Sequence, residues 1–283
     1  MPLIPGSHEV RSPRRIIQPW RDVLLERHSV GGIEIPEHEH SELCLHLQVR
    51  GQEDFEWWSE GGNRIERTRS GSMILLAPGT RDRLHWHGNS ERLILSMKPE
   101  LLQRTALELG TNGDVSFRNR WALDDPATAN LVTEMGKQAE DDWPLGKLYA
   151  DLVGMSLAST LLRRFAETPP PAITRKGQLP MPQLRRAMEF ITANLHRDVN
   201  LEEISAEIGL SPFHFARMFR ETSGQTPYQY LLDQRISLAK SLLRNGTFSV
   251  QDIALQTGFS SPTNFVRAFR QRVGVTPGGW SKG

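Results

Sequence analysis

The sequence predicts an α+β protein of two domains: an N-terminal antiparallel β-barrel or sandwich with trailing helices, and a C-terminal all-α domain carrying two helix-turn-helix motifs. Three observations predict it. Up to about residue 100, short apolar or alternating runs are broken by glycines at 51, 61, 62, 71, 79 and 88. From Pro99 onward, apolar residues recur at helical spacing. Finally, GLSPFHFARMFRETSGQTP, starting at Gly209, is written again as GFSSPTNFVRAFRQRVGVTP, starting at Gly258. A chain of 283 residues suits two domains with separate cores.

The strands come first. LCLHLQV (Leu43–Val49) alternates apolar and polar residues, and RLILSM (Arg92–Met97) does so more loosely. SMILLAP (Ser72–Pro78) is a continuous apolar run that ends in a Pro-Gly turn. The helices follow. DPATANLVTEMGKQAEDD brings Leu131, Val132 and Met135 to one face. PLGKLYADLVGMSLASTLLRRF spaces Leu145, Leu148, Leu152, Met155, Leu161 and Leu162 along another, with Pro144 in the first turn. That stripe fits core packing, or else a dimer seam. ETPPPAITRKGQLPMP (Glu167–Pro182) holds five prolines and shows no period. It reads as a semi-extended spacer. The expected organisation is therefore a domain over 1–166, a linker over 167–182 and a domain over 183–283.

Composition narrows the function classes. The chain is 38% hydrophobic and 24% charged. No apolar run approaches the roughly 18 residues of a membrane helix. MPLIPGSHEVRSPRR lacks the apolar segment of a secretory signal. Cys44 is the single cysteine, which excludes an intrachain disulfide and a multi-cysteine zinc site. A cytoplasmic protein without a membrane partner is expected. Net charge is +1, but from Gln183 onward 12 Lys/Arg stand against 8 Asp/Glu, whereas before it 22 stand against 25. The basic C-terminal part suits a polyanion.

The repeat specifies which polyanion. Ile204-Ser205-Ala206 aligns with Ile253-Ala254-Leu255, and Gly209-Leu210-Ser211 with Gly258-Phe259-Ser260, at an offset of 49. After one extra serine, His214-Phe215-Ala216-Arg217-Met218-Phe219-Arg220 aligns with Asn264-Phe265-Val266-Arg267-Ala268-Phe269-Arg270, at an offset of 50. Each copy spells helix, glycine turn, helix. Gly209 and Gly258 suit a left-handed closing residue. Ser211 and Ser261 suit N-caps, each followed by proline at the first helical position. Phe215 and Phe219, like Phe265 and Phe269, lie four apart and face a core. The opposite face varies: Phe213, His214, Ala216, Arg217 and Arg220 in one copy, and Thr263, Asn264, Val266, Arg267 and Arg270 in the other. Short polar or cationic groups at the front of a helix suit the DNA major groove, where arginine can grip guanine O6 and N7 together. Between the copies, PYQYLLDQRISLAKSLLRNG predicts a helix capped by Thr226 and closed at Asn245-Gly246. About 18 helical residues span roughly 27 Å. That is of the order of the ~34 Å between successive major-groove segments on one face of a duplex.

RISLAKSLLRNGTFSVQDIALQTGFSSPTNFVRAFRQRVGVTP, Arg235 to Pro277, closely resembles the signature of the AraC/XylS family of bacterial transcription regulators, and the resemblance runs from about Gln183 to Lys282. It implies a seven-helix domain whose two helix-turn-helix units bind double-stranded promoter DNA. The first recognition helix would contact DNA through Phe213, Ala216 and Arg217, with His214 as an added contact. The second would do so through Pro262, Thr263, Asn264 and Arg267. Arg220 and Arg270 suit phosphate. RNA polymerase and a second copy of the chain in a homodimer are further partners that the resemblance implies; an activator role fits it, while the sequence leaves activation and repression both open.

The front half resembles the family's cupin-like sensor barrel. Gly32, His38, His40, Glu42, Gly51, Gly71, Pro78, Gly79 and His85 echo the cupin pattern of a glycine, His-x-His, a glutamate and Pro-Gly. A small-molecule effector pocket lined by His38, His40, Glu42, Trp57, His85 and Trp86 is expected, with no cofactor and no metal. The pattern departs from the cupin one in two ways: Glu42 follows His40 by only two residues, and Arg81-Asp82-Arg83 occupies the position of the later histidine. The alternative function is a cupin-type metalloenzyme with an accessory helical domain, resting on His38, His40 and His85 as ligands for iron, manganese or zinc. A cysteine-based alkyl acceptor, known in one branch of the family, does not fit a lone Cys44 in a strand. A proline-rich spacer transmits little torque, so an effector would act by altering dimer geometry or by freeing the DNA-binding domain.

Overall fold

The computed structural model describes residues 22–141, 143–171 and 177–280. The N-terminal segment read for a secretory signal, the middle of the proline-rich spacer and the last three residues lie outside this description. The strands are β1 (Val23–Glu39), β2 (Leu43–Arg50), β3 (Gln52–Ser59), β4 (Gly62–Arg69), β5 (Met73–Leu76), β6 (Arg81–Met97) and β7 (Arg120–Leu123). The helices are α1 (Pro99–Glu108), α2 (Pro126–Glu140), α3 (Gly146–Phe165), α4 (Met181–Ala193), α5 (Leu201–Glu207), α6 (Pro212–Ser223), α7 (Pro227–Asn245), α8 (Val250–Gln256), α9 (Pro262–Val273) and α10 (Pro277–Trp280). The chain divides into two compact units, 1–142 with 153–172 and 143–152 with 173–283, so the division falls inside α3.

The first unit is a nearly closed antiparallel barrel of seven strands, ordered β4-β3-β6-β2-β5-β7, with β1 along the other edge of β6. β6 is its spine. β1 pairs along its length, β3 pairs with its first half, and β2 pairs with its second half. Period-two alternation then sorts the side chains. Val30, Ile35, Cys44, Phe55, Ile74, Leu76, Leu84, Trp86 and Ile94 form one buried cluster, with Trp57 and Trp121 packed against it. The expected strand at Leu43–Val49 is β2. The run at Arg92–Met97 is only the end of β6, a strand of 17 residues. The short β7 interrupts the region read as purely helical.

The predicted first turn of α3 is corrected. The helix starts at Gly146, and Pro144 lies in a turn before it. Trp143 and Gly146 both adopt positive φ, at 54° and 78°, a conformation that cannot continue a right-handed helix through Pro144. Leu148, Leu161 and Leu162 of the apolar stripe are buried within the chain itself. The barrel unit extends past 166, since Phe117 bridges Ala166 and the Glu167 N–H donates to Ser116 O at 2.9 Å.

In the second unit each copy of the repeat forms the expected helix pair. Phe215, Phe219, Phe265 and Phe269 are fully buried, each contributing about 1.5–3 kcal/mol of apolar burial. The two rings of each pair meet edge to face, at 5.4 Å between Phe215 and Phe219 and 5.6 Å between Phe265 and Phe269. α7 has 19 residues, begins with a capping box between Thr226 and Gln229, and ends at a left-handed Gly246.

Candidate nucleic-acid interface and barrel interior

The local sequence builds both recognition helices. Ser211 Oγ accepts the His214 N–H at 3.3 Å and Ser261 Oγ accepts the Asn264 N–H at 3.2 Å, which closes one orphan donor at each helix start. Left-handed Gly224 and Gly274 close the ends, donating to Arg220 O and Arg270 O.

The outward faces differ. On α9, Pro262, Thr263, Val266, Arg267 and Arg270 line an open concavity of about 810 Å³ with Gln271, Gly274 and Thr276. Asn264 is turned aside, its side-chain amide donating to Ser260 Oγ at 3.0 Å, so it braces the turn. On α6, Phe213, His214, Ala216 and Arg217 are half-buried, whereas Arg220 is exposed. The residues predicted to meet DNA therefore share one face per helix, apart from Asn264.

α7 is tied to its surroundings by Arg235, which the sequence reading did not single out. Its buried guanidinium donates to Leu195 O at 3.1 Å and Arg197 O at 2.8 Å, and it lies 5.6 Å from the Phe259 ring. Burial holds its pKa below the usual arginine value. Gly258, at φ +76°, sits against this arginine; a Cβ there would collide with Leu195 O and meet Arg235 Nη2 at 2.8 Å. The turn of the second motif is thereby wedged against the end of α4 through the middle of the rod.

The start of α5 is held from outside the repeat. Asp151 Oδ2 accepts the Leu201 N–H at 3.0 Å, and Asp198 accepts the Lys147 N–H at 3.0 Å. Burial pushes the Asp151 carboxyl up to about 6, against the hydrogen bond from Leu201.

The barrel separates the six expected pocket residues. Trp86 is fully buried in the interior, stacked on Phe55 at 4.8 Å. Trp57 also points inward, and stacks on Trp121 at 4.3 Å beside a cleft of about 470 Å³ bordered by Ser59, Glu60 and Glu66. Glu42 accepts from Ser96 Oγ. His38 and His40 meet at a different acidic group: His40 Nε2 donates to Asp82 Oδ2 at 3.0 Å, and His38 Nδ1 lies 3.7 Å from Asp82 Oδ1 while donating to Pro36 O at 3.1 Å. His85 is a correction. It neighbours Trp86 on one strand, so it faces the opposite side. There its ring lies 4.1 Å from that of His87. The His38/His40/His85 ligand set of the metalloenzyme alternative is not brought together.

The interior also contains polar groups the sequence reading missed. Fully buried Arg92 lies 3.8 Å over Trp86 and donates to Gln48 at 2.8 Å, Glu53 at 3.0 Å and Thr68 at 3.3 Å. Burial lowers its pKa to about 10, and the Glu53 carboxylate opposes that shift. Burial also holds His46 well below the usual imidazole range, hence neutral. Cys44 is 3% exposed and its thiol is pushed up by burial, so it is inert as a nucleophile. Alternation with Leu84 and Trp86 would have placed Asp82 inside.

A paired-motif helical unit carrying two exposed-arginine helices, together with a small sensor-type barrel, defines a two-domain DNA-binding regulator. Two family models match it: a helix-turn-helix domain over residues 204–283 and an AraC-like ligand binding domain over 23–158. The chain belongs to the AraC/XylS family of DNA-binding transcription regulators. It is 28% identical over 177 residues to the regulatory protein PocR of Salmonella typhimurium, covering 59% of this chain and 58% of that one. It is 24% identical over 243 residues to the XylDLEGF operon transcriptional activator 1 of Pseudomonas putida, covering 83% and 74%. Among solved structures, the DNA-binding domain of AdpA in complex with a target DNA is 30% identical, covering 35% of this chain and 90% of that domain at a TM-score of 0.34. No described helix is long and apolar enough to cross a membrane.

Proposed function

We propose that this chain is a cytoplasmic, homodimeric activator that reads two successive major-groove segments of promoter DNA, engages RNA polymerase, and answers to a small molecule held by the barrel. It acts by binding, without catalysis. The observation that carries the reading is the pair of matched arginines, Arg217 and Arg267, at the same place in two helix-turn-helix motifs joined by one continuous 19-residue helix. At 1.5 Å per residue α7 measures about 28 Å, so it suits two reading helices one duplex turn apart. Arg267, on the open face of α9, is the leading base contact; Arg220 and Arg270 serve phosphates. The cleft beside Trp57 and Trp121 is the entry for the effector.

The test is binding of the full chain to its own upstream DNA across a salt series. Arg267→Ala should lose about 1–3 kcal/mol on the cognate site and relax one base position, whereas Arg270→Ala should weaken all sequences alike and flatten the salt slope. Equal losses for Arg267→Ala on cognate and random DNA would count against base reading. Footprints showing a single protected groove would remove the two-groove reading.

A further inference from the structure

We infer that the outer face of the barrel carries a transition-metal site, with His85 and His87 as nitrogen ligands and Glu56 as the carboxylate. The topology makes the site. His85 and His87 are two apart on β6, so both project from one face. Glu56 on the neighbouring β3 is the register partner of His85. The imidazole rings lie 4.1 Å apart, and His87 Nε2 lies 4.0 Å from Glu56 Oε2. One ligand atom from each of the three residues lies within 4.8 Å of the others. A tetrahedral zinc ion with bonds near 2.0–2.1 Å sets its ligand atoms roughly 3.3 Å apart. The side chains of His87 and Glu56 are 41% and 21% exposed, so small rotations close that gap without disturbing the core.

This cluster differs from the one inside the barrel. There His40 Nε2 is already spent on Asp82 and His38 Nδ1 on Pro36 O. Outside, Arg83, two residues before His85 on β6, is drawn onto the Trp58 ring at 3.9 Å and toward Glu34. Asp54, beside His87, is neutralised by Arg67 in a two-pronged pair at 2.8 and 3.2 Å. Glu34, the β1 partner of His85, adds a second carboxylate at the rim. Two imidazoles with one carboxylate select zinc or a similar borderline divalent ion over magnesium or calcium, which favour all-oxygen shells.

The site is independent of the DNA-binding reading, and each stands or falls alone. The test is calorimetric titration of the untagged full chain with zinc chloride and, separately, magnesium chloride. One zinc per chain is expected, with magnesium at least about tenfold weaker. His87→Ala and Glu56→Gln should each weaken zinc at least about tenfold, as loss of even a supporting group does at metal sites, with circular dichroism unchanged. The proposal is overturned if the chain takes up no zinc, if magnesium binds as well as zinc, or if both variants bind like the parent. It is equally overturned if His40→Ala alone removes the zinc, which would place the ion at the interior cluster.

Discussion

The two copies of the helix-turn-helix motif share their local chemistry and differ in how the rest of the chain treats them. The first is buttressed. Asp151, outside the repeat, accepts the Leu201 N–H at the start of α5, the Leu179 N–H donates to Thr222 Oγ1, and most of the recognition face of α6 is half-buried. The second stands open. Leu255 is 60% exposed, Val275 46%, and the face of α9 forms a concavity. Yet its turn is wedged at Gly258 against Arg235, whereas a Cβ at Gly209 would meet nothing within 4 Å. Equal motifs therefore carry unequal loads: the rest of the chain holds one at its start and the other at its turn.

The largest expected effect tests the turns. Gly258→Ala forces a Cβ both into a left-handed conformation and into Leu195 O, and should cost on the order of 2–5 kcal/mol. Gly209→Ala meets only the conformational penalty, about 1–2 kcal/mol. Urea unfolding of the full chain measures both, and equal losses would break the contrast.

Asp151 tests the buttress. Its carboxyl titrates at about 6 in the fold, against the ordinary 3.8. The folded state therefore holds this proton more tightly than the unfolded chain. The associated stability is complete below about pH 4 and is lost as pH rises through about 6, by on the order of 3 kcal/mol. Asp151→Asn keeps an acceptor for the Leu201 N–H and should remove that part of the pH dependence. An unchanged pH profile in the variant would detach Asp151 from the stability of the first motif.

On DNA the ranking reverses in favour of the second motif. Arg267→Ala should lose about 1–3 kcal/mol on the cognate site, and Arg217→Ala, from the half-buried face, should lose less in the same assay. The smallest expected effect is shared. Ser211→Ala and Ser261→Ala each remove one cap hydrogen bond and should cost about 1 kcal/mol apiece by thermal unfolding. A marked difference between the two would show that the surroundings reach even the caps.

Much of the helical unit was legible because its signals are local. Ser-Pro starts, glycine stops, Phe spacing and the Thr226 cap act within four residues of one another, so a linear reading recovers them. The barrel was less legible. Leu43–Val49 announces itself by alternation, but β1 and β6 are 17-residue strands whose middle sections are broken by glycines and polar residues. The interior position of Asp82 and the exterior position of His85 depend on following that alternation through a strand whose start the sequence does not mark.

By itself the sequence determined the repeated motif, its caps, the rod between the copies and the arginines placed at matching positions, because each depends on neighbours along the chain. Tertiary structure alone decided which groups meet across long separations: His40 with Asp82, Glu56 with His85 and His87, Arg235 with Leu195 O, and Asp151 with the start of α5. Such pairings follow from strand register and helix packing, and a shift of one residue in either would exchange inside for outside.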